Sequence, residues 1–258
     1  MSTKKLQLMH LFACPQCKTR LFPIKMKGKC PRCGFRYRKS GGIWHFLKTG
    51  DVQTQSSAKR YNSMHKKNFI GPDDGSYEIL GSFARGNRTV DIACGDGRIE
   101  TLAPETVGVE FSLNALKNAK SRGVKHLVHA DAQALPFTDN SFDVAICAGS
   151  LEHFVDPQSA VNEMARVASI QILTVHKKLP FPLSLGERVL TNLGRVTHQP
   201  IERPFSRRAL MGLLRKAGLH TVFEGVWTLP VNYGKAVSYL PQLSSLPSCH
   251  FVVSIKRK

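Results

Sequence analysis

The sequence predicts an α/β protein: a doubly wound, mostly parallel sheet of seven strands behind a small cysteine-stapled unit. Three observations carry this. From residue 88 onward, short apolar runs of strand type alternate with longer runs of helical spacing, the order that crossover units produce. The first such run ends in a glycine turn that opens straight into a helix, "VDIACGDGR". Two Cys-x-x-Cys pairs, "CPQC" and "CPRCG", stand within the first fifty residues.

The cysteines come first. Cys14 and Cys17 form one pair, Cys30 and Cys33 the other, with twelve residues between. Such knuckles place four thiolates around one ion at about 2.3 Å, the tetrahedron that zinc accepts. Two disulfides are the alternative, and a reducing interior disfavours them. A closed four-cysteine site leaves no position for water, so the ion is structural. Pro15 and Pro31 stiffen the turns, and Gly34 allows a left-handed residue after the last ligand. Some fifty residues bury little core alone, and metal binding supplies folding energy. Residues 1–50 therefore read as a zinc ribbon. In "FRYRKSGGIWHFL", Phe35 and Tyr37 interleave with Arg36, Arg38 and Lys39, which suits stacking on bases, or equally a small core. Trp44 and Phe46 read as core. Cys94, Cys147 and Cys249 lie in apolar surroundings and read as small buried hydrophobes.

Residues 48–60, "KTGDVQTQSSAKR", are polar and read as a linker within a 51–87 segment that becomes helical or irregular from about 59. The main domain, 88–258, follows. Strands are expected at 88–93, 106–110, 126–130, 142–148, 170–176, 220–227 and 249–256. Helices are expected at 98–103, 112–122, 157–168 and 206–217, the last with Ser206 as N-cap and Gly218 as its stop.

Charge is unevenly spread. The formal net charge is +19, yet residues 51–170 hold 12 Lys/Arg against 15 acids, while residues 1–50 hold 12 Lys/Arg and no acid. Residues 171–258 hold 13 Lys/Arg against 3 acids. Basic flanks around a mildly acidic middle suit a phosphate-bearing polymer or anionic headgroups, or only a solvated basic surface. No apolar run approaches the ~20 residues of a membrane span, and a soluble, cytoplasmic protein is expected.

The glycine turn then needs a ligand. A nicotinamide fingerprint requires a third glycine where Glu100 stands, and no Lys-Ser or Lys-Thr follows for a phosphate loop. Nineteen residues after Asp91 the second strand closes on Glu110, an acid placed to accept both hydroxyls of a ribose. With "GVEFS", "ADAQALPF" and "FDVAICAGSLEHF" in order behind "VDIACGDGR", residues 88–168 resemble the Rossmann-like, type-11 S-adenosylmethionine-dependent methyltransferases. The ribbon resembles small zinc modules that precede or activate such enzymes. The resemblance implies that Gly95 and Gly97 let the backbone approach the cofactor's methionyl part, that Asp91 helps order the turn and the cofactor's amino group, and that Ala93 is among the cofactor-binding residues. It implies Glu110 and Phe111 at the ribose, Asp131 and Ala132 at the adenine, and Ala148 lining the cleft. A loop cap is the alternative role for Asp131. The 51–87 segment would cover the cofactor. The Pro-Gly-Gly-like turn usual before the fifth strand is absent from "MARVASIQILTVH", which leaves that strand's start open.

Methyl transfer from a sulfonium depends mostly on placing the acceptor, with proton removal where the acceptor carries one. His153, just past the fourth strand, is the first candidate for touching substrate or acting as base, and Glu152 the second. An ordering role for His153 is equally open. Residues 177–205 read as an acceptor lid, with His176, His198 and Arg203 as further contacts, and Tyr233 as structural. The acceptor is expected to be anionic, with RNA the leading guess. A small molecule, lipid or sugar intermediate is the alternative, favoured by the apolar "LPFPLSL". A non-catalytic partner-binding protein is a third.

Overall fold

The structure, a computed structural model, describes residues 7–47, 75–178, 203–227 and 249–257. The linker at 48–60, most of the 177–205 lid with His198, and Tyr233 lie outside them. Among the described residues ten strands run in chain order: β1 Lys27–Lys29, β2 Arg36–Ser40, β3 Ile43–His45, β4 Thr89–Ile92, β5 Val107–Glu110, β6 Leu127–His129, β7 Phe142–Ala148, β8 Ala168–His176, β9 Leu219–Trp227 and β10 Cys249–Lys256. Five α-helices lie among the described residues: α1 Ser76–Ala84, α2 Arg98–Leu102, α3 Leu113–Ser121, α4 Pro157–Val167 and α5 Arg207–Lys216.

The strands form one sheet in the order β1-β2-β3-β6-β5-β4-β7-β8-β10-β9. Strands β6, β5, β4, β7 and β8 are parallel neighbours, and β10 is inserted antiparallel between β8 and β9. These are the seven expected strands in a doubly wound arrangement. The order reverses at β4, beside β5 on one side and β7 on the other, and ligands of open α/β sheets bind outside the carboxyl ends at such a point.

Local chemistry explains the helix ends. Ser112 accepts from the Ala115 amide to cap α3, and Ser206 accepts from the Ala209 amide to cap α5. Asp156 accepts from the Gln158 and Ser159 amides, with Pro157 at the first position of α4. The missing turn before the fifth strand has a simple outcome. Helix α4 ends at Val167, and Ala168 is already extended, at φ −133° and ψ 155°, so helix passes into strand with no intervening loop.

The N-terminal unit is joined to this sheet rather than tethered beside it. Strand β3 pairs in parallel with β6, Ile43 opposite Leu127 and His45 opposite His129, which widens the sheet from seven strands to ten. The Ala13 amide donates to the Pro136 carbonyl at 3.0 Å, and the Thr138 amide to the Leu11 carbonyl at 2.8 Å. Phe12, wholly buried, makes tilted ring contacts with Trp44 and Phe46 at 4.9 Å each and stacks on Phe137 at 5.8 Å. Trp44 and Phe46 are thus core, as expected, but the core is shared with Phe137 and Leu135 of the main domain. Lys18 crosses the same seam and pairs with Glu163 of α4 at 2.6 Å, and Glu163 also holds Arg166 and the Leu135 amide.

Candidate functional site

The turn after β4 is built from left-handed residues. Ala93, Gly95 and Gly97 have φ of +62°, +57° and +79°. The two glycines serve different ends. A Cβ on Gly97 would lie 2.8 Å from Val124 Cγ2 and 2.9 Å from Ala119 Cβ, so Gly97 lets the turn press against α3. A Cβ on Gly95 would meet nothing within 4 Å. Gly95 faces open space at the carboxyl edge of the sheet, and Gly97 faces protein.

Glu110, at the end of β5, is buried and turned toward this loop. Its Oε2 accepts from the Gly95 amide at 3.1 Å and its Oε1 from the Ser112 amide at 2.6 Å. The acid closing the second strand and the glycine closing the first therefore share one edge. Asp91 lies beneath them in β4, 3% exposed, with Oδ1 lacking a hydrogen-bond partner among the described residues. Burial, then the nearby Glu110 carboxylate, pushes its carboxyl well above the ordinary carboxylate range. Glu100, read in the sequence only as a failed third glycine, is also buried, with neither carboxylate oxygen hydrogen-bonded among the described residues. Burial and then Asp91 raise it well above its usual range.

Asp131 follows β6 at the same edge. Its Oδ1 accepts from the Gln133 amide at 2.8 Å and from Gln133 Nε2 at 3.0 Å, with Oδ2 3.2 Å from the same nitrogen. In this structure it caps its own loop, the alternative role noted from the sequence. Gln133 was missed, although an Asx turn, in which an aspartate holds the amide two residues on, is a sequence-level signal. Ala132 is buried beside it. Phe111 follows β5 and its carbonyl lies 3.1 Å from His129 Nε2, while Ala148 ends β7. Every expected cofactor residue except Asp91 thus sits on or just past a carboxyl end of β4, β5, β6 or β7.

A second cluster lies past β7 and β8. Leu151–His153 forms one 3-10 turn, with Glu152 and His153 buried. Glu152 Oε1 lies 2.7 Å from His176 Nδ1 and accepts from the His176 amide at 3.2 Å. The His153 and His176 rings meet edge to face with centroids 6.4 Å apart. The Cys249 side chain opposite, then Glu152, raise His176 to about 10. Burial opposes ionisation of Glu152, but His176 outweighs it and holds the carboxyl below its usual range. The Arg203 amide donates to the Glu152 carbonyl at 3.0 Å, which brings the far end of the expected lid to this cluster.

The four cysteines of the N-terminal unit converge. Cys14 and Cys33 sulfurs lie 3.5 Å apart, as do those of Cys17 and Cys30. A zinc tetrahedron with bonds of about 2.3 Å has edges of about 3.8 Å, whereas a disulfide brings sulfurs to about 2.05 Å. The spacing fits the ion. Each knuckle closes on a left-handed residue that donates its amide to the first cysteine's carbonyl: Lys18 to Cys14 and Gly34 to Cys30, at φ +58° and +73°.

The parallel sheet, its reversal at β4 and the glycine turn facing Glu110 define a Rossmann-like methyltransferase fold, and residues 90–170 match the family model described as a methyltransferase domain. A demethylmenaquinone methyltransferase of Anoxybacillus flavithermus is 38% identical over 119 residues, 41% of this chain and 50% of its own length. The chain spans about half the length of the curated relatives it matches. The YcgJ protein of Bacillus subtilis superposes with a TM-score of 0.55 at 20% identity, covering 71% of this chain and 99% of its own. A Thermotoga maritima protein described as an S-adenosylmethionine-dependent methyltransferase, possibly acting on histamine, superposes at 0.54 with 22% identity, over 79% and 91%. These two likenesses show the fold.

Proposed function

We propose that this chain is an S-adenosylmethionine-dependent methyltransferase whose ribbon holds one structural zinc ion through Cys14, Cys17, Cys30 and Cys33. The observation that carries the enzyme reading is the shared edge of Gly95 and Glu110, where a glycine with open space before it stands 3.1 Å from a buried carboxylate. The residues present suit that cofactor. Glu110 would take the ribose hydroxyls, and the backbone at Gly95 would admit the methionyl part. Asp91, buried with an orphaned oxygen, would be relieved by a cationic amino group nearby. Asp131 would accept from the adenine amino group with the lone pairs that Gln133 leaves on Oδ2. When bound, the cofactor supplies an electrophilic methyl group. The chain's own part is to orient the acceptor and exclude water. His153 and Glu152 stand nearest in sequence to the β7 edge for that task.

The acceptor is best read as a small molecule. The relatives that match the cofactor half are named for demethylmenaquinone, which moves the reading away from RNA. A polyanionic acceptor is favoured by one feature, the exposed Lys25, Lys27, Lys29, Arg36 and Arg38 on and before β1 and β2. Lysines on an edge strand also serve simply to block edge-to-edge pairing. No helix among the described residues is long and apolar enough to cross a membrane.

Two measurements test this. Calorimetry with S-adenosylmethionine should give one site per chain, weakened by Glu110→Gln, and absence of binding would sink the enzyme reading. Labelled cofactor incubated with cell extract should then mark the small-molecule fraction. Label held in RNA would restore the polyanion.

A further inference from the structure

The Glu152, His153 and His176 cluster lies outside the cofactor edge and combines features that are costly unless something fills it. Each of the three offers one ligand atom, and these atoms all lie within 4.8 Å of one another. Two ligands come from the turn after β7 and the third from the end of β8, so adjacent strands hold them in place. Glu152 is wholly buried. Its Oε1 is taken by His176, but its Oε2 has no hydrogen-bond partner among the described residues. A buried carboxylate oxygen left without a partner is costly, and such an atom in a native fold marks a place where a water, an ion or a ligand satisfies it.

From this geometry we infer that Glu152, His153 and His176 form a second metal site, for one divalent transition ion, beside the acceptor side of the sheet. Two imidazoles and one carboxylate on one side of an ion leave positions open to water or substrate. Bonds of about 2.1 Å in a tetrahedral or octahedral shell separate ligand atoms by roughly 3.0–3.4 Å. Atoms as far apart as 4.8 Å would have to close by about 1.4–1.8 Å, and the 2.7 Å Glu152–His176 contact would have to open slightly. The short Glu152–His176 contact is consistent with this, since the proton bridging that pair occupies the direction a cation would take. The ligand set stands whatever the chain's activity. Its role, holding an acceptor oxygen at the open positions, rests on the methyl-transfer reading.

The test is stoichiometry on the full chain. Protein stripped with chelator under reducing conditions is reloaded with Zn²⁺ or Co²⁺ and bound metal is counted by mass spectrometry. The wild type should take two ions, and Glu152→Gln and His176→Gln one each. With Co²⁺, the first equivalent should show sulfur-to-cobalt charge transfer from the four cysteines. The second should add only ligand-field bands, a signature readable even if a variant fails to fold. A wild type that stops at one ion overturns the proposal, as do two ions retained in both folded variants. Binding of S-adenosylmethionine to the same samples reads the cofactor edge separately. Its absence alongside a second ion removes the enzyme reading and leaves the metal site.

Discussion

The two glycines of the turn should fail differently when each is replaced by alanine. Both are left-handed, at φ +57° and +79°, and placing an L residue there costs roughly 1–2 kcal/mol. At Gly95 that is the whole structural cost, because the new methyl meets nothing within 4 Å. At Gly97 the methyl would sit 2.8 Å from Val124 Cγ2 and 2.9 Å from Ala119 Cβ. Forcing α3 aside adds an overpacking cost of roughly 1–3 kcal/mol. Gly97→Ala should therefore cost about 2–5 kcal/mol against about 1–2 for Gly95→Ala. At roughly 2–4 °C per kcal/mol for a chain of this size, thermal melting separates the two. Calorimetry with S-adenosylmethionine, run where both variants stay folded, should show the reverse order, with Gly95→Ala losing more affinity because its methyl enters the cleft. Equal melting losses would refute the packing role given to Gly97. An unchanged affinity in Gly95→Ala would refute the role given to Gly95.

Phe12→Ala should cost about 3–5 kcal/mol, as deletion of a buried aromatic does, and denaturant melts should show one transition because its partners span both parts of the chain. Two separated transitions would mean the shared core does not couple them. Ala93→Gly should raise stability by about 0.5–1 kcal/mol, since relief of a left-handed alanine outweighs the extra entropy of an unfolded glycine; a lower melting temperature would contradict this. Burial, then His45, depresses His129 to about 4, and burial, then Arg38, depresses His45. Both bind protons less well folded than unfolded, so their stabilising effect is complete above about pH 6.5 and fades as pH falls toward 4. Between pH 7.5 and 5, His129 alone should account for roughly 2 kcal/mol of lost stability, and His129→Gln should flatten that part of the slope in urea titrations.

Much of the architecture was written in local patterns. Strand positions, the cap at Ser206, the four-cysteine knuckles and the glycine turn depend on residues a few places apart, and short-range sterics and hydrogen bonds decide them. The order of acids behind that turn, Glu110 and then Asp131, was legible because each ends a strand and parallel strands end on one edge. Other features depend on groups far apart in the chain. Nothing in "GGIWHFL" says that Ile43–His45 will pair with Leu127–His129, because strand partners are chosen by which apolar faces fit together. The sequence likewise could not separate Gly95 from Gly97, since what distinguishes them is the presence of Val124 beside one and empty space beside the other. Nor could it show that Glu152 would meet a histidine from the next strand, or that Gln133 would occupy Asp131. The chain dictated its elements through near-neighbour physics; which of its buried charges came to face one another was settled only when the sheet closed and desolvation gave those distant meetings their energy.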